Sequence, residues 1–171
     1  AGPFRGMELI EDIYTTLFTP NLLGTYEWEI HDDLEKAIAK PYKHVINIGC
    51  AYGYYAVGLA MRMPNATIHA YDTDEKCRAQ CKKMAELNGV ADRIIIGEEF
   101  MGENFAKFAD EETLVFMDIE GAEQELLDIE AFPALQKMDV IVELHDCNIP
   151  GLSTQIPARF SPTHLVKVLP N

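Results

Sequence analysis

The chain has 171 residues, 48% of them apolar, and a formal net charge of −14. That length supports one substantial core with little left for a second, and the charge repels phosphate backbones, which argues against nucleic acid as a partner. There is no run of about 18 apolar residues and no basic-then-apolar leader, so neither a membrane span nor secretion is indicated.

Four cysteines, Cys50, Cys77, Cys81 and Cys147, show neither C-x-x-C nor zinc-site spacing,. A reduced, cytoplasmic setting is therefore expected. Residues 7–18 and 26–39 read as helices from their spaced apolar positions, with Pro20-Asn21 and Gly24 between them,. They form a helical lead-in over 1–42. From Lys43 the rhythm changes: strand 43–48, helix 54–63, strand 66–71, helix 74–87, strand 92–96 and a short helix 102–108. Strand 113–118, helix 121–128, strand 138–144 and a last strand 165–169 follow. Strands alternating with helices over 43–171 predict an α/β, doubly wound, mostly parallel sheet with helices on both faces. Residues 146–164, with Pro150, Pro157 and Pro162, are not expected to form one continuous helix,.

Such a sheet takes ligands beyond the carboxyl ends of its strands, which directs attention to VINIGCAYGYYAVGLA at 45–60. Gly49 follows a strand and can adopt conformations closed to other residues, and Gly53 lets the next helix begin close to a ligand. A dinucleotide fingerprint starting at Gly49 would need glycine at 51 and 54, where Ala51 and Tyr54 stand,. A P-loop would need Gly-Lys after Gly53. Neither is present.

Asp72-Thr73-Asp74 supplies an N-cap after the second strand. Strand alternation places Asp118 and Glu120 on one face with Leu114 and Phe116, where a carboxylate costs desolvation energy unless paired, bonded or functional. Glu143 and His145 share a face at the end of the next strand.

The segment N47-I-G-C-A-Y-G53 resembles the first motif of class I S-adenosylmethionine-dependent methyltransferases. A70-Y-D72 and especially D118-I-E-G-A-E123, with V140-I-V-E-L-H145, resemble the FkbM-like family of that class over roughly 43–146. The resemblance implies S-adenosylmethionine as cofactor and S-adenosylhomocysteine as product. Asn47, Gly49 and Gly53 would then surround the methionine end, while Tyr54, with Tyr52 and Tyr55, either lines that end or packs the first helix. Asp72, with Thr73 beside it, would hold the ribose hydroxyls; Glu98 either reaches the adenine or ribose or is a solvated loop carboxylate. Asn47 stands where the family usually carries Asp or Glu, so it can accept the methionine ammonium's hydrogen bond without contributing charge.

Asp118 is expected to orient the methionine end or the acceptor, and His145 to take a proton from the acceptor. A divalent metal on Asp118, His145 and Asp146 is an alternative rather than the expectation. The implied activity is O-methylation of a small molecule or carbohydrate. The acceptor site is expected around Tyr26, Trp28 and His31 and the segment 150–162, although a lone tryptophan on an amphipathic helix more often packs inside. A non-catalytic cofactor-fold domain and a nicotinamide-dependent oxidoreductase are the competing readings. A homo-oligomer stays open.

Overall fold

The structure, a computed structural model, describes residues 2–11 and 18–169. Five parallel strands form its sheet: β1 (His44–Ile48), β2 (Thr67–Tyr71), β3 (Ile94–Gly97), β4 (Thr113–Met117) and β5 (Asp139–Val142), in the order β3-β2-β1-β4-β5. The helices are α1 (Phe18–Leu23), α2 (His31–Ile38), α3 (Tyr54–Arg62), α4 (Glu75–Leu87), α5 (Glu123–Leu126) and α6 (Leu152–Phe160). Short 3₁₀ helices cover Trp28–Ile30, Ala91–Arg93, Gly102–Phe108 and Pro133–Lys137.

The central strands are apolar at almost every position because both their faces are covered. In β1 and β4 alternate residues enter opposite cores. Val45, Leu114 and Phe116 join Ala56, Leu59, Cys81 and Met84 under α3 and α4, while Ile46, Ile48, Val115 and Met117 join Phe105, Leu127, Leu135 and Ile156 on the other face,. Leu34 and Ala37 of α2 belong to the first of these cores. The chain runs outward from β1 to β3 and then returns to β4. The strand order therefore reverses between β1 and β4, and a crevice is expected at their carboxyl ends.

Several expected elements differ. Residues 7–10 of the first expected helix are not helical, and 12–17 lie outside the described residues. Met7, Leu9 and Ile10 pack instead on the core, anchored where Glu8 exchanges hydrogen bonds with Asn88 at 2.8 and 2.9 Å. Pro20-Asn21, expected as a break, lies inside α1, where proline in the first turn forfeits no intrahelical bond,. The helix expected over 26–39 starts only after left-handed Glu27, as a 3₁₀ turn followed by α2.

The strand expected at 165–169 is irregular, and Leu165 and Val168 are exposed. A helix, α6, forms instead within the proline-containing stretch before it. Leu152, Ile156 and Phe160 make its buried stripe, and that burial outweighs the hydrogen bond lost at Pro157,. The four-residue α5 is shorter than the helix expected over 121–128.

Candidate functional site

The turn after β1 is set by close contact. Gly49 has φ +79°, and a Cβ there would lie 1.8 Å from the Asp118 carbonyl oxygen, so only glycine lets this loop cross the end of β4,. Gly53 has φ +94°, and a Cβ would meet Cys81 Sγ at 2.8 Å. Its demand thus comes from a left-handed backbone together with the close approach of α3 to α4,. Between them Ala51 is also left-handed, at φ 45°, an unusual conformation for a residue with a side chain,.

Asp72 holds this strained loop in place. Its Oδ2 accepts from Ala51 N at 2.8 Å and its Oδ1 from Asp74 N at 2.9 Å. The N-cap of α4 is Asp74, whose side chain accepts from Lys76 N. Each carboxylate oxygen of Asp72 retains a second acceptor site. Exposed Thr73 follows, and Arg78 donates to the carbonyls of Asp72 and Thr73 at 2.8 and 2.9 Å. Glu98, with an 85% exposed side chain, stands 3.8 Å from Arg78 at the end of β3.

Beneath the turn, Asn47 is only 1% exposed. Its Nδ2 donates a long 3.4 Å bond to the Phe116 carbonyl, and its Oδ1 has no partner. An orphaned acceptor in a dry site carries a desolvation cost that a bound donor would remove.

Tyr54 and Tyr55 are buried and meet Phe4 and Tyr26 edge-on or tilted, with centroids 5.3–6.2 Å apart. The Tyr55 ring lies on Phe116 at 4.0 Å, and its hydroxyl donates to Glu27. Burial raises the Tyr55 hydroxyl pKa, and Glu27 adds to it. Burial likewise pushes Tyr54 up to about 12.

At the carboxyl ends of β4 and β5 stand Asp118, Glu143 and His145. Asp118 N donates to the Ile48 carbonyl and Glu143 N to the Met117 carbonyl, both at 3.0 Å, which extends the ladders by one residue and sets these carboxylates side by side. The chain then turns through left-handed Glu120 (φ 51°) and Gly121 (φ 129°) and returns with Glu123. Glu123, 0% exposed, accepts from His145 Nδ1 at 2.7 Å through Oε1, while its Oε2 has no partner. With Nδ1–H given to Glu123, His145 Nε2 faces Asp118 Oδ1 at 3.5 Å and Glu143 Oε1 at 4.0 Å,.

Burial raises the Asp118 carboxyl; His145 opposes this, while Glu27, Glu120 and Glu123 reinforce it. Burial also raises Glu143, helped by Asp118 and Glu27. For His145 burial opposes the charged ring, but the Glu123 hydrogen bond and the fields of Asp118, Glu123 and Glu143 leave its pKa raised.

The structure brings Asn47, Gly49 and Asp118 together at the β1–β4 crevice, with His145 beside Asp118, and sets Asp72 and Glu98 along the neighbouring strand ends. Three readings change. Glu120, expected to share a strand face with Asp118, is exposed because β4 ends at Met117 and the chain turns. Asp146, the alternative metal ligand, is held by Ser153 N at 2.8 Å and Ser153 Oγ at 2.6 Å; Glu143 stands in its place. Trp28 is 74% exposed rather than packed inside.

The residue that sequence reasoning passed over is Glu123. The signal was a second glutamate closing D-I-E-G-A-E, but only the Glu120–Gly121 turn aims it at His145. A cleft of about 830 Å³ opens from Asp118 and Glu143 past Glu27, Glu29 and Phe116 and continues along β5 and residues 165–169.

No family model matches this chain. The chain is 32% identical over 87 residues to a release factor glutamine methyltransferase of Flavobacterium psychrophilum, a match over 51% of this chain and 30% of that protein. It thus spans about a third of the length of that curated relative. A Staphylococcus aureus protein assigned as a caffeoyl-CoA O-methyltransferase superimposes with a TM-score of 0.55 at 12% identity, over 86% of this chain and 81% of that one. A Klebsiella pneumoniae protein assigned as an O-methyltransferase gives a TM-score of 0.54 at 14% identity, over 93% and 70%. At such identities the likeness is one of fold, and the fold of this chain is the Rossmann-like methyltransferase fold.

Proposed function

We propose that this protein is a class I S-adenosylmethionine-dependent methyltransferase, of the FkbM-like kind that D118-I-E-G-A-E123 resembles, acting on a hydroxyl oxygen of a small molecule or carbohydrate. The observation that carries the reading is Asn47. Its buried, partnerless Oδ1 lies under the Gly49 turn at the strand-order reversal, where the methionine ammonium of such a cofactor would donate,.

The residues present fit that cofactor. Asn47 Oδ1 would accept from its ammonium, the Gly49–Gly53 turn with Tyr54 would enclose its methionine end, Asp72 beside Thr73 would accept from its ribose hydroxyls, and Glu98 would reach the adenine side. When bound it supplies a methyl group on a good leaving group, so the protein's task is alignment and proton removal. Asp118 stands between the Gly49 turn and the cleft and orients what meets there. His145, fixed by buried Glu123 through Nδ1, presents Nε2 to take the proton of an acceptor hydroxyl.

Calorimetric titration with S-adenosylmethionine, S-adenosylhomocysteine and NADH tests the cofactor class. Transfer of label from methyl-labelled cofactor to sugars and hydroxylated metabolites tests the acceptor class. Micromolar binding of the adenosyl compounds alone supports the reading. NADH binding, or binding of none, refutes it.

A further inference from the structure

We propose that Asp118, Glu143 and His145 form a divalent-cation site, with one carboxylate oxygen from each acid and His145 Nε2 as ligands. Their donor atoms all lie within 4.8 Å of one another and all three residues are partly buried. Nε2 stands 3.5 Å from Asp118 Oδ1 and 4.0 Å from Glu143 Oε1. Donors about 2.1 Å from one ion are roughly 3.0 Å apart at octahedral angles and about 3.4 Å apart at tetrahedral ones, so side-chain movements of up to roughly 1–2 Å close the set.

The second observation is Glu123. A ligating histidine characteristically gives its other ring N–H to a carboxylate, which fixes the tautomer and raises the basicity of the ligating nitrogen. Here Glu123 Oε1 takes Nδ1–H at 2.7 Å, and the carboxylate is fully buried with Oε2 unpartnered. Charge points the same way. Asp118, Glu143 and Glu123 face one histidine, Glu27 and Glu120 add to the field on Asp118, and Glu27 and Glu29 to that on Glu143. A doubly charged ion would offset what a single imidazolium cannot.

Mixed carboxylate and imidazole ligands suit Mn²⁺ or Zn²⁺ better than Mg²⁺, which prefers oxygen throughout. Three protein ligands leave positions for a hydroxyl acceptor, which would lose its proton to water at a lower pH when so held. Cation binding itself does not depend on the methyltransferase reading. Where that reading holds, the cation changes His145 from proton acceptor to ligand.

The test is titration of the metal-stripped full chain with Mn²⁺, followed by calorimetry and by the electron paramagnetic resonance of free Mn²⁺, with S-adenosylhomocysteine binding measured in parallel. The expected result is one equivalent bound, with Glu143→Gln and His145→Gln each weakening it at least about 100-fold and Glu123→Gln about 10- to 100-fold though Glu123 touches no ion. Exposed Glu103→Gln, away from the cluster, should leave it unchanged. Far-UV circular dichroism confirms that each variant is folded. Absence of Mn²⁺ binding by the wild-type protein, or binding that persists in folded Glu143→Gln and His145→Gln, overturns the proposal. Failure to bind S-adenosylhomocysteine overturns the methyltransferase reading instead.

Discussion

Replacing Asn47 by leucine should make the protein more stable and a poorer binder of S-adenosylmethionine. Asn47 is buried, its Oδ1 is unpartnered and its Nδ2 makes only a 3.4 Å bond. An unsatisfied buried polar group costs about 1–3 kcal/mol and a weak neutral hydrogen bond returns about 0.5 kcal/mol. Leucine keeps the branching at Cγ, removes the orphan and adds apolar burial on the sheet face of Val45, Ala70 and Phe116. The net gain should be about 1 kcal/mol after some overpacking. In a domain of this size that raises Tm by about 2–4 °C.

The cofactor's ammonium would in turn lose a charge-assisted acceptor worth about 1.5–3 kcal/mol, a fall in affinity of roughly 10- to 150-fold. Differential scanning calorimetry without ligand and isothermal titration with S-adenosylmethionine read the two effects separately. A variant that melts lower and binds S-adenosylmethionine as the wild type does would refute the claim that Asn47 is a vacant acceptor kept for a ligand.

Gly49→Ala should lower stability by more than about 3 kcal/mol, because the added methyl meets the Asp118 backbone at 1.8 Å in a left-handed residue; chemical denaturation measures it, and a loss under about 1 kcal/mol would contradict the packing of the turn,. Asp72→Asn keeps one acceptor oxygen for two backbone donors, Ala51 N and Asp74 N, and so should cost about 1 kcal/mol of stability while weakening S-adenosylmethionine binding at least about tenfold,. Unchanged affinity in titration would remove Asp72 from the site.

His69 offers a pH test. Burial, then the neighbouring His44, lowers its pKa to about 4, so between about pH 4 and 6.5 the unfolded chain binds more protons and stability rises with pH,. Its stabilisation is complete above pH 6.5 and is lost as pH falls through 4. The shift sets a ceiling of about 3 kcal/mol, reduced to roughly 1–2 kcal/mol for a half-buried ring screened by solvent. Urea denaturation at several pH values should show a shallower slope in His69→Gln than in the wild type; equal slopes would count against this assignment.

The succession of strands and helices from β1 to β5 could be read from the sequence because each carries its own period, and parallel strands buried on both faces are apolar throughout. The same reading placed Gly49, Asp72 and His145 just after strands and Asp118 at the last position of one, at the carboxyl edge of the sheet. It failed where a local pattern had no tertiary partner or met a stronger one. The 165–169 stretch has the composition of a strand but forms no ladder, and the apolar stripe of α6 prevailed over Pro157.

Distances across the site belonged to the tertiary structure alone. Whether Glu143 or Asp146 joins Asp118 and His145 depends on the register of β5 against β4 and on Ser153 holding Asp146. That Glu123 backs His145 depends on two left-handed residues, Glu120 and Gly121. The sequence by itself determined which residues reach the carboxyl edge, because side-chain period and strand ends are local properties. Only the packed sheet decided which of them touch, because contacts between residues far apart in the chain depend on register and turn geometry that no local pattern encodes.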